Sequence, residues 1–374
     1  MSLRRKIEDE ICRRGPLPFS RYMQMCLYDR EHGYYAAHAQ QFGKTGDFYT
    51  SSDVHAVFGR LLARQFEEMW RALASPAEIY VVELGPGRGL FAQDVLDWSQ
   101  KRFPEFFHQL RYALVEASPA LRARLEETLG KHLQGGRARI CSSIEDLPNP
   151  FAAPTIIFAN EFFDALPVEV ITARGELRVD FASGRFVENF VPPSAAALEY
   201  LDRYSVHPET GERVEAALQA QDDMRAIALR LQAGFVIVID YGYTREEQLA
   251  GRHRGTVTAF RRHIISASPY EAPGEQDITA HVNFTALQAA ARQGGLEPLA
   301  LLTQAQFLMG IGESNQFADA FEETRLPQER AKVALQLKHL VTPAGMGESF
   351  QVLVMSKGMN EERARQLSGL KFLR

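Results

Sequence analysis

Cysteine is scarce in this chain of 374 residues: Cys12, Cys26 and Cys141 are the only three, and none belongs to a C-x-x-C pair. Such spacing excludes a disulfide framework and the usual zinc pattern, and reads as scattered thiols in a reducing compartment. A block of Lys or Arg is also lacking. With 42 basic against 47 acidic side chains and a formal net charge of −5, the chain offers no basic stripe to a nucleic-acid backbone. No apolar run approaches the length of a membrane span. The start, Met1-Ser2-Leu3-Arg4-Arg5, turns acidic at Glu8-Asp9-Glu10 with no apolar signal core. These gaps predict a cytoplasmic protein with no metal site, no nucleic-acid partner and no membrane span. The length allows two domains or one elaborated domain with a large core.

What the chain does have is a glycine-rich turn behind a buried strand, Val81-Val82-Glu83-Leu84-Gly85-Pro86-Gly87-Arg88-Gly89. The apolar, β-branched run from Ile79 to Val82 is too short for a buried helix and predicts a strand. Leu90, Phe91, Val95 and Trp98 then recur at helical spacing. Glycines at a strand-to-helix turn supply tight dihedrals and let a ligand approach the backbone, while the helix N-terminus offers unpaired N–H groups. A dinucleotide fingerprint would set its third glycine at position 90, where this chain has Leu90. The order E-x-G-x-G-x-G is instead that of S-adenosyl-L-methionine (SAM) methyltransferases. Gly85, Gly87 and Gly89 then line the ligand, and Glu83 reaches its ammonium directly or through water. A second strand, Tyr112 to Val115, ends at Glu116, where one carboxylate can accept hydrogen bonds from both ribose hydroxyls. Glycines that merely cap a helix are the plainer reading of the turn, and the two acids in register weigh against it.

Further along, strands alternate with helices. Ser118-Pro119 opens a helix with proline at its first position, Ala138 to Ile140 is a third strand, and a fourth starts at Thr155. This alternation predicts a parallel sheet with its ligand at the carboxyl ends of the strands, where Asn160, Glu161 and Asp164 fall. From Val168 to Phe190 the period changes to two, with turns at Arg174-Gly175 and Ser183-Gly184, as in an inserted antiparallel meander. Helical segments are expected at Ala195 to Tyr204 and Arg213 to Leu231. The sheet resumes at Phe235 to Asp240 with a turn at Tyr241-Gly242, and closes with Leu299 to Leu302 and Phe350 to Met355. Ahead of the glycine turn, Phe19, Tyr22, Met23 and Cys26 form one helical stripe and Val57, Phe58, Leu61, Leu62, Phe66 and Trp70 a stronger one. The expected organisation is an N-terminal helical region over 1–75, the first part of an α/β SAM-binding core over 76–167, an inserted meander and helical substrate or lid region over 168–232, and the rest of the core over 233–374.

Several motifs together carry a resemblance: Glu83-Leu-Gly-Pro-Gly-Arg-Gly89, Asn160-Glu-Phe-Phe-Asp-Ala-Leu-Pro167, Asp240-Tyr-Gly242 and Gly274-Glu-Gln-Asp-Ile-Thr-Ala-His-Val282. Gly46-Asp-Phe-Tyr-Thr-Ser51, Phe58-Gly59 and Gly255-Thr256 extend it over nearly the whole chain. In order and combination they resemble the MidA-like family, whose mitochondrial members are protein arginine methyltransferases required for respiratory complex I assembly. The resemblance implies a seven-stranded SAM-methyltransferase sheet and a protein arginine as substrate, with the complex I catalytic subunit that carries the quinone site as precedent. It also implies that Asp47, Thr50 and Ser51 close over the ligand and that Asn160 belongs to the cofactor site. The family's Val-Asp-Phe after the histidine is here Val282-Asn283-Phe284, so no charge-dependent role is assigned to position 283.

The chemistry bears on the same residues. Methyl transfer from a sulfonium is a direct displacement, so alignment and exclusion of water are the main tasks. A guanidinium, with a pKa above about 12, is a poor nucleophile. It needs carboxylates to fix its planar fork and a group to take its proton. Glu161 and Asp164 are the best pair for that; a capping pair on a solvated loop is the plainer alternative. Asp277 and His281, four apart, are expected to flank the pocket, with His281 able to relay a proton, although a lone histidine is as often structural. Three classes of function stay open: a protein arginine methyltransferase, which is favoured; a methyltransferase on a small molecule or another side chain; and a SAM-binding assembly chaperone without turnover. Intact acids at 83, 116, 161 and 164 count against the last.

Overall fold

The computed structural model describes residues 1–37, 56–261 and 264–373. The chain forms two compact units, and it returns to each more than once. One comprises Tyr49–Glu161, Ile227–Tyr241 and Arg292–Arg374; the other comprises Met1–Phe48, Phe162–Ala226 and Gly242–Ala291.

The first unit is built on a sheet whose strands we number β1 (Ile79–Leu84), β2 (Leu110–Val115), β3 (Ala138–Cys141), β4 (Thr155–Asn160), β5 (Gly234–Tyr243), β6 (Glu297–Thr303) and β7 (Phe350–Lys357). Their order is β6-β7-β5-β4-β1-β2-β3. All neighbours are parallel except at β7, which runs antiparallel to β5 and β6. This is the Rossmann-like methyltransferase sheet expected from the sequence. Parallel strands covered on both faces read as nearly continuous apolar runs, and β1 does so, with Ile79, Val81, Val82 and Leu84 all buried. The helix Leu90–Arg102 buries Phe91, Val95, Leu96 and Trp98, and Phe91 stacks on Phe158 of β4 at 4.4 Å. Each such side chain contributes about 1.5–3 kcal/mol by leaving water. The stripe from Val57 to Trp70 is one helix, Ala56–Ala72, and Phe58 and Phe66 both pack on Phe91.

Between β6 and β7 lie helices at Gln304–Glu313, Ala318–Phe321 and Pro327–Val341, which had no counterpart in the sequence reading. Asp319, fully buried, fastens this addition to the core. Its Oδ2 accepts from Arg64 Nε of helix Ala56–Ala72 and from Asn315 Nδ2 at 2.7 Å, and its Oδ1 from Trp98 Nε1 at 3.1 Å.

The second unit carries an antiparallel sheet. Glu169–Thr172, Gly175–Ala182 and Arg185–Val191 form the meander, with Leu17–Pro18 pairing with Gly175–Ala182 and Arg213–Ala216 with Glu169–Thr172. Residues 213–216 were expected to be helical and are a strand. Burying Val214 and Ala216 against that sheet outweighs the helical pattern, which starts only at Leu218. The helices Leu3–Arg14, Phe19–Tyr28 and Ala195–Tyr204 complete the layer. Tyr241-Gly242 is likewise not a turn. The strand β5 runs on to Tyr243 because Gly242 and Tyr243 pair in parallel with Val282 and Asn283. A small sheet joins Ile264–Ile265, Thr258–Arg261 and Asp277–Thr279. No helix among the described residues is long and apolar enough to cross a membrane.

The Asp319 clamp yields a stability prediction. Removing one partner of a buried ion pair leaves the other uncompensated, so Asp319→Ala is expected to cost about 3–5 kcal/mol. Asp319→Asn, which can still accept from Trp98, is expected to cost less. Urea unfolding measures both; an Asp319→Ala loss under about 1 kcal/mol contradicts the clamp.

Candidate active site

Strand order reverses at β1, whose neighbours are β4 on one side and β2 on the other. The crevice outside the carboxyl ends at such a reversal is where open α/β sheets bind ligands. Glu83, Gly85 to Gly89, Glu116 and Asn160, all in the first unit, stand at those ends.

The turn after β1 is tied to β2, because Gly85 N–H donates to Val115 C=O at 3.0 Å. Two of its glycines do different work. At Gly89 an added Cβ meets Leu125 Cδ2 at 2.7 Å, so this glycine serves helix packing. At Gly87 the backbone is left-handed, with φ of 53°, and an added Cβ meets nothing within 4 Å among the described residues. That is open space in front of bare backbone. The following helix has no side-chain cap on its first turn, which leaves N–H groups for a ligand.

Glu83 lies buried near the end of β1, and Tyr112 from the middle of β2 donates its hydroxyl to Glu83 Oε2 at 2.8 Å. Burial pushes the Glu83 carboxyl up to about 8, against the pull of that hydrogen bond. Tyr112 was not singled out in the sequence, where it reads as one more apolar strand residue. Glu116 directly follows β2 and is equally buried; its Oε1 accepts from Ser118 N–H at 2.8 Å. Arg122 locks the local backbone by donating to the carbonyls of Glu116 and Ala117. Burial pushes Glu116 up to about 7, opposed by the Ser118 N–H, the Arg122 charge and the Gly87 N–H. That last contact ties the glycine turn to Glu116. Asn160 closes β4; its Nδ2 donates to Glu161 Oε1 at 3.1 Å, and its buried Oδ1 has no hydrogen-bond partner among the described residues. Glu161 holds a left-handed backbone, φ 50°, and its N–H donates to Ile239 C=O at 2.9 Å. Such a conformation costs about 1–3 kcal/mol in a non-glycine residue and clusters at functional sites.

Asp164, Asp277 and His281 belong to the second unit. Asp164 and Asp277 are buried. The Asp164 carbonyl accepts from Ala280 N–H at 2.9 Å, which brings its loop against the strand that carries Asp277. Asp277 Oδ1 accepts from the Tyr35 hydroxyl at 3.2 Å. His281 has a different partner: its Nδ1 lies 3.2 Å from His253 Nδ1, and burial together with His253 pushes its pKa down to about 4. Asn283 is a structural residue. Its Nδ2 donates to Tyr204 C=O and its Oδ1 accepts from Ala286 N–H, a pairing that a carboxylate, having no donor, cannot reproduce. Tyr35 was missed in the sequence reading, the only hint being Gly33-Tyr34-Tyr35 after a polar turn. Asp47, Thr50 and Ser51 lie outside the described residues.

Residues 61–302 match the model of a family of S-adenosyl-L-methionine-dependent methyltransferases. The chain belongs to that family. Its fold, its chemistry and its methyl donor follow: this is a SAM-dependent methyltransferase of the MidA-like group. It is 28% identical to the mitochondrial protein arginine methyltransferase NDUFAF7 homolog of Drosophila melanogaster, with 96% of this chain and 85% of the relative covered. It is 29% identical to the mitochondrial protein arginine methyltransferase NDUFAF7 of Homo sapiens, with 91% and 80% covered. A crystal structure from Burkholderia thailandensis, with S-adenosyl-homocysteine bound, superposes with a TM-score of 0.82 at 31% identity, covering 96% of this chain and 92% of that one. The mitochondrial relatives overturn the cytoplasmic placement. Scattered thiols and a missing apolar core do not distinguish these compartments, since mitochondrial leaders are amphipathic rather than apolar.

The residues at the strand ends fit this methyl donor. Among the described residues Gly87 has open space at its backbone and Asn160 Oδ1 is a buried acceptor without a donor, and Glu83 and Glu116 are buried acids, a set that suits a ligand carrying positive charge. The acids also set a pH dependence. In the folded protein Glu83 and Glu116 keep protons that the unfolded chain has lost, so stability falls as pH rises from the ordinary carboxylate range to about 8. His281, with its lowered pKa, slopes the other way only below about 6.5. Between pH 6.5 and 8 the ligand-free protein is therefore expected to lose stability, the Glu83 share being about 1–2 kcal/mol. Denaturant midpoints across that range check it; a flat profile, or one that Glu83→Gln leaves unchanged, contradicts the assignment.

Proposed function

We propose that this methyltransferase modifies an arginine guanidinium of a partner protein, and that a complex I catalytic subunit is its substrate. The observation that carries the reading is Glu161: a carboxylate held in a strained left-handed conformation at the end of β4, beside the unpartnered acceptor of Asn160. The names of relatives that align over nearly the whole chain support arginine as the acceptor.

When bound, SAM supplies an electrophilic methyl on a sulfonium, and sulfur departs with the electrons of the carbon–sulfur bond. The protein's part is to bind, orient and take a proton. Glu116 accepts from the ribose hydroxyls, and Glu83 with Tyr112 sets the charge behind the glycine turn. Asn160 Oδ1 accepts from a ligand N–H. Glu161 and Asp164 grip the planar fork of the guanidinium, concentrating its charge away from the attacking nitrogen, and accept the proton that nitrogen gives up. His281 is neutral at physiological pH and too weak a base to hold that proton, so its role is that of a neutral hydrogen-bonding ring. Asp277 adds negative charge on the acceptor side.

The test separates binding from chemistry. Glu116→Ala is expected to weaken SAM binding by about 2–4 kcal/mol, the scale of two hydrogen bonds to a charged group. Glu161→Gln and Asp164→Asn are expected to spare SAM affinity and slow methyl transfer at least about a hundredfold. The purified complex I catalytic subunit is the acceptor, and mass spectrometry reports methylarginine. Parental rates in both charge-deleting variants contradict the guanidinium assignment, and label that appears only in small molecules contradicts the protein substrate.

A further inference from the structure

The helices inserted between β6 and β7 leave the large sheet and return to it at the edge that carries the cofactor residues. Thr303, the last residue of β6, pairs with Gln351, and Phe350, the first of β7, pairs with Tyr241 near the end of β5. Both junctions therefore stand at the carboxyl end of the sheet, where β1, β2 and β4 present Glu83, Glu116 and Asn160. Pro327–Val341 is the returning helix, and its last turn is fastened at that edge. Leu340 C=O accepts from Gln304 Nε2, directly after β6, at 3.0 Å, and His339 C=O accepts from Met346 N–H at 2.8 Å.

Only one side of this helix is packed. Leu340 is fully buried, Val333, Leu337 and Val341 lean on the same core, and Arg330 lies over the Phe321 ring at 5.2 Å. At about 100° per residue, the opposite side carries Ala331, Lys332, Leu335 and Lys338. Leu335 is 68% exposed and stands one turn from each lysine. No carboxylate shares this face. The helix's one acid, Glu329, is turned back to its start, where Oε2 accepts from Arg325 N–H at 2.7 Å and Leu326 N–H at 3.0 Å. Neighbouring basic side chains are matched, Lys101 with Glu323 and Arg102 with Glu322, whereas neither Lys332 nor Lys338 has an ion pair among the described residues. In a chain of net charge −5, an acid-free cationic face runs against the overall balance.

The charge calls for a partner rich in carboxylates, and the shape of the face narrows the class. A helix that lies on a bilayer needs a broad face of large apolar residues; here Leu335 and Ala331 are the whole apolar part. A second copy across a two-fold axis would set two cationic faces against each other. We propose that the face formed by Lys332, Leu335 and Lys338 docks an acidic surface of the acceptor protein, holding it at the carboxyl edge of the sheet while its arginine enters the site. The choice of partner rests on the arginine methyltransferase reading. Exposed charges of this kind act chiefly on the association rate and its salt dependence.

The experiment uses the full chain, SAM and the purified complex I catalytic subunit, with surface plasmon resonance reporting binding of the subunit and mass spectrometry reporting methylarginine. Lys332→Glu with Lys338→Glu is expected to weaken binding about tenfold at low salt, through the association rate, and to lower kcat/KM by about the same factor. SAM affinity, kcat and the unfolding midpoint are expected to stay parental. Lys332→Arg with Lys338→Arg is expected to keep parental binding, and added salt to weaken the parent more than the charge-reversed protein. Parental binding in the charge-reversed protein, an equal loss in the arginine variant, or a loss that tracks a lowered unfolding midpoint overturns the proposal. If the charge-reversed protein does not fold, Lys332→Gln with Lys338→Gln carries the test: slower association supports the proposal, and parental association overturns it. Binding to phosphatidylglycerol vesicles, or parent dimers, that the reversal abolishes assigns the face to another occupant and likewise overturns it. A parent that neither binds nor methylates the subunit defeats the arginine reading and this inference with it. A parent that binds without making methylarginine defeats the arginine reading alone, and the binding comparison still decides the docking face. An active parent whose binding the reversal leaves unchanged defeats this inference only.

Discussion

Strand order reverses at β1, and there a glycine turn, the first N–H groups of a helix and three strand ends converge; the proposed cofactor site depends on that reversal. Glu83 and Glu116 stand there because they close or follow the two strands that flank the turn, and both are almost removed from water. Carboxylates in that position are costly in the empty protein, as their raised pKa values record. A ligand that bears ammonium and sulfonium charge offsets the cost, so the property that weakens the free protein favours the bound one. Tyr112 moderates the balance by giving Glu83 a donor that stays protonated.

In the proposed reaction the acids of the second unit would serve the acceptor by the same electrostatics. Asp164 and Asp277 are buried acids; the Asp277 carboxylate accepts from the Tyr35 hydroxyl and the Asp164 backbone carbonyl from Ala280 N–H, whereas burial beside His253 pushes the His281 pKa down to about 4. A guanidinium needs negative charge to bind and a carboxylate to take its proton; a second cation nearby would oppose both. The lowered pKa of His281 therefore suits a site for a cationic substrate better than a protonated histidine would.

Local patterns made the glycine turn and its flanking strands legible. The glycine spacing at 85, 87 and 89, the β-branched run before Glu83 and the acid at 116 all lie within one strand-turn-helix-strand passage, so residue type and spacing alone place them at neighbouring strand ends. Residues 213–216 were misread because helical periodicity in the following segment masks a strand defined only by its pairing with Glu169–Thr172. Tyr35 with Asp277, and Asp319 with Arg64, were invisible for another reason: each contact joins residues more than 200 positions apart, and nothing local to either partner announces the other. The polar role of Asn283 was hidden similarly, since an Asn and an Asp at a helix start look alike until the carbonyl of Tyr204 is found to need a donor.

The central claim is that SAM sits against the bare backbone of the turn after β1. Calorimetric titration of S-adenosyl-homocysteine into the parent protein and into Gly87→Val tests it most directly, because among the described residues nothing packs where a Gly87 side chain would stand. The account predicts that the parent binds, and that the variant stays folded but gives no binding heat, its branched side chain occupying the ligand's place. Undiminished affinity in a folded Gly87→Val protein would contradict it.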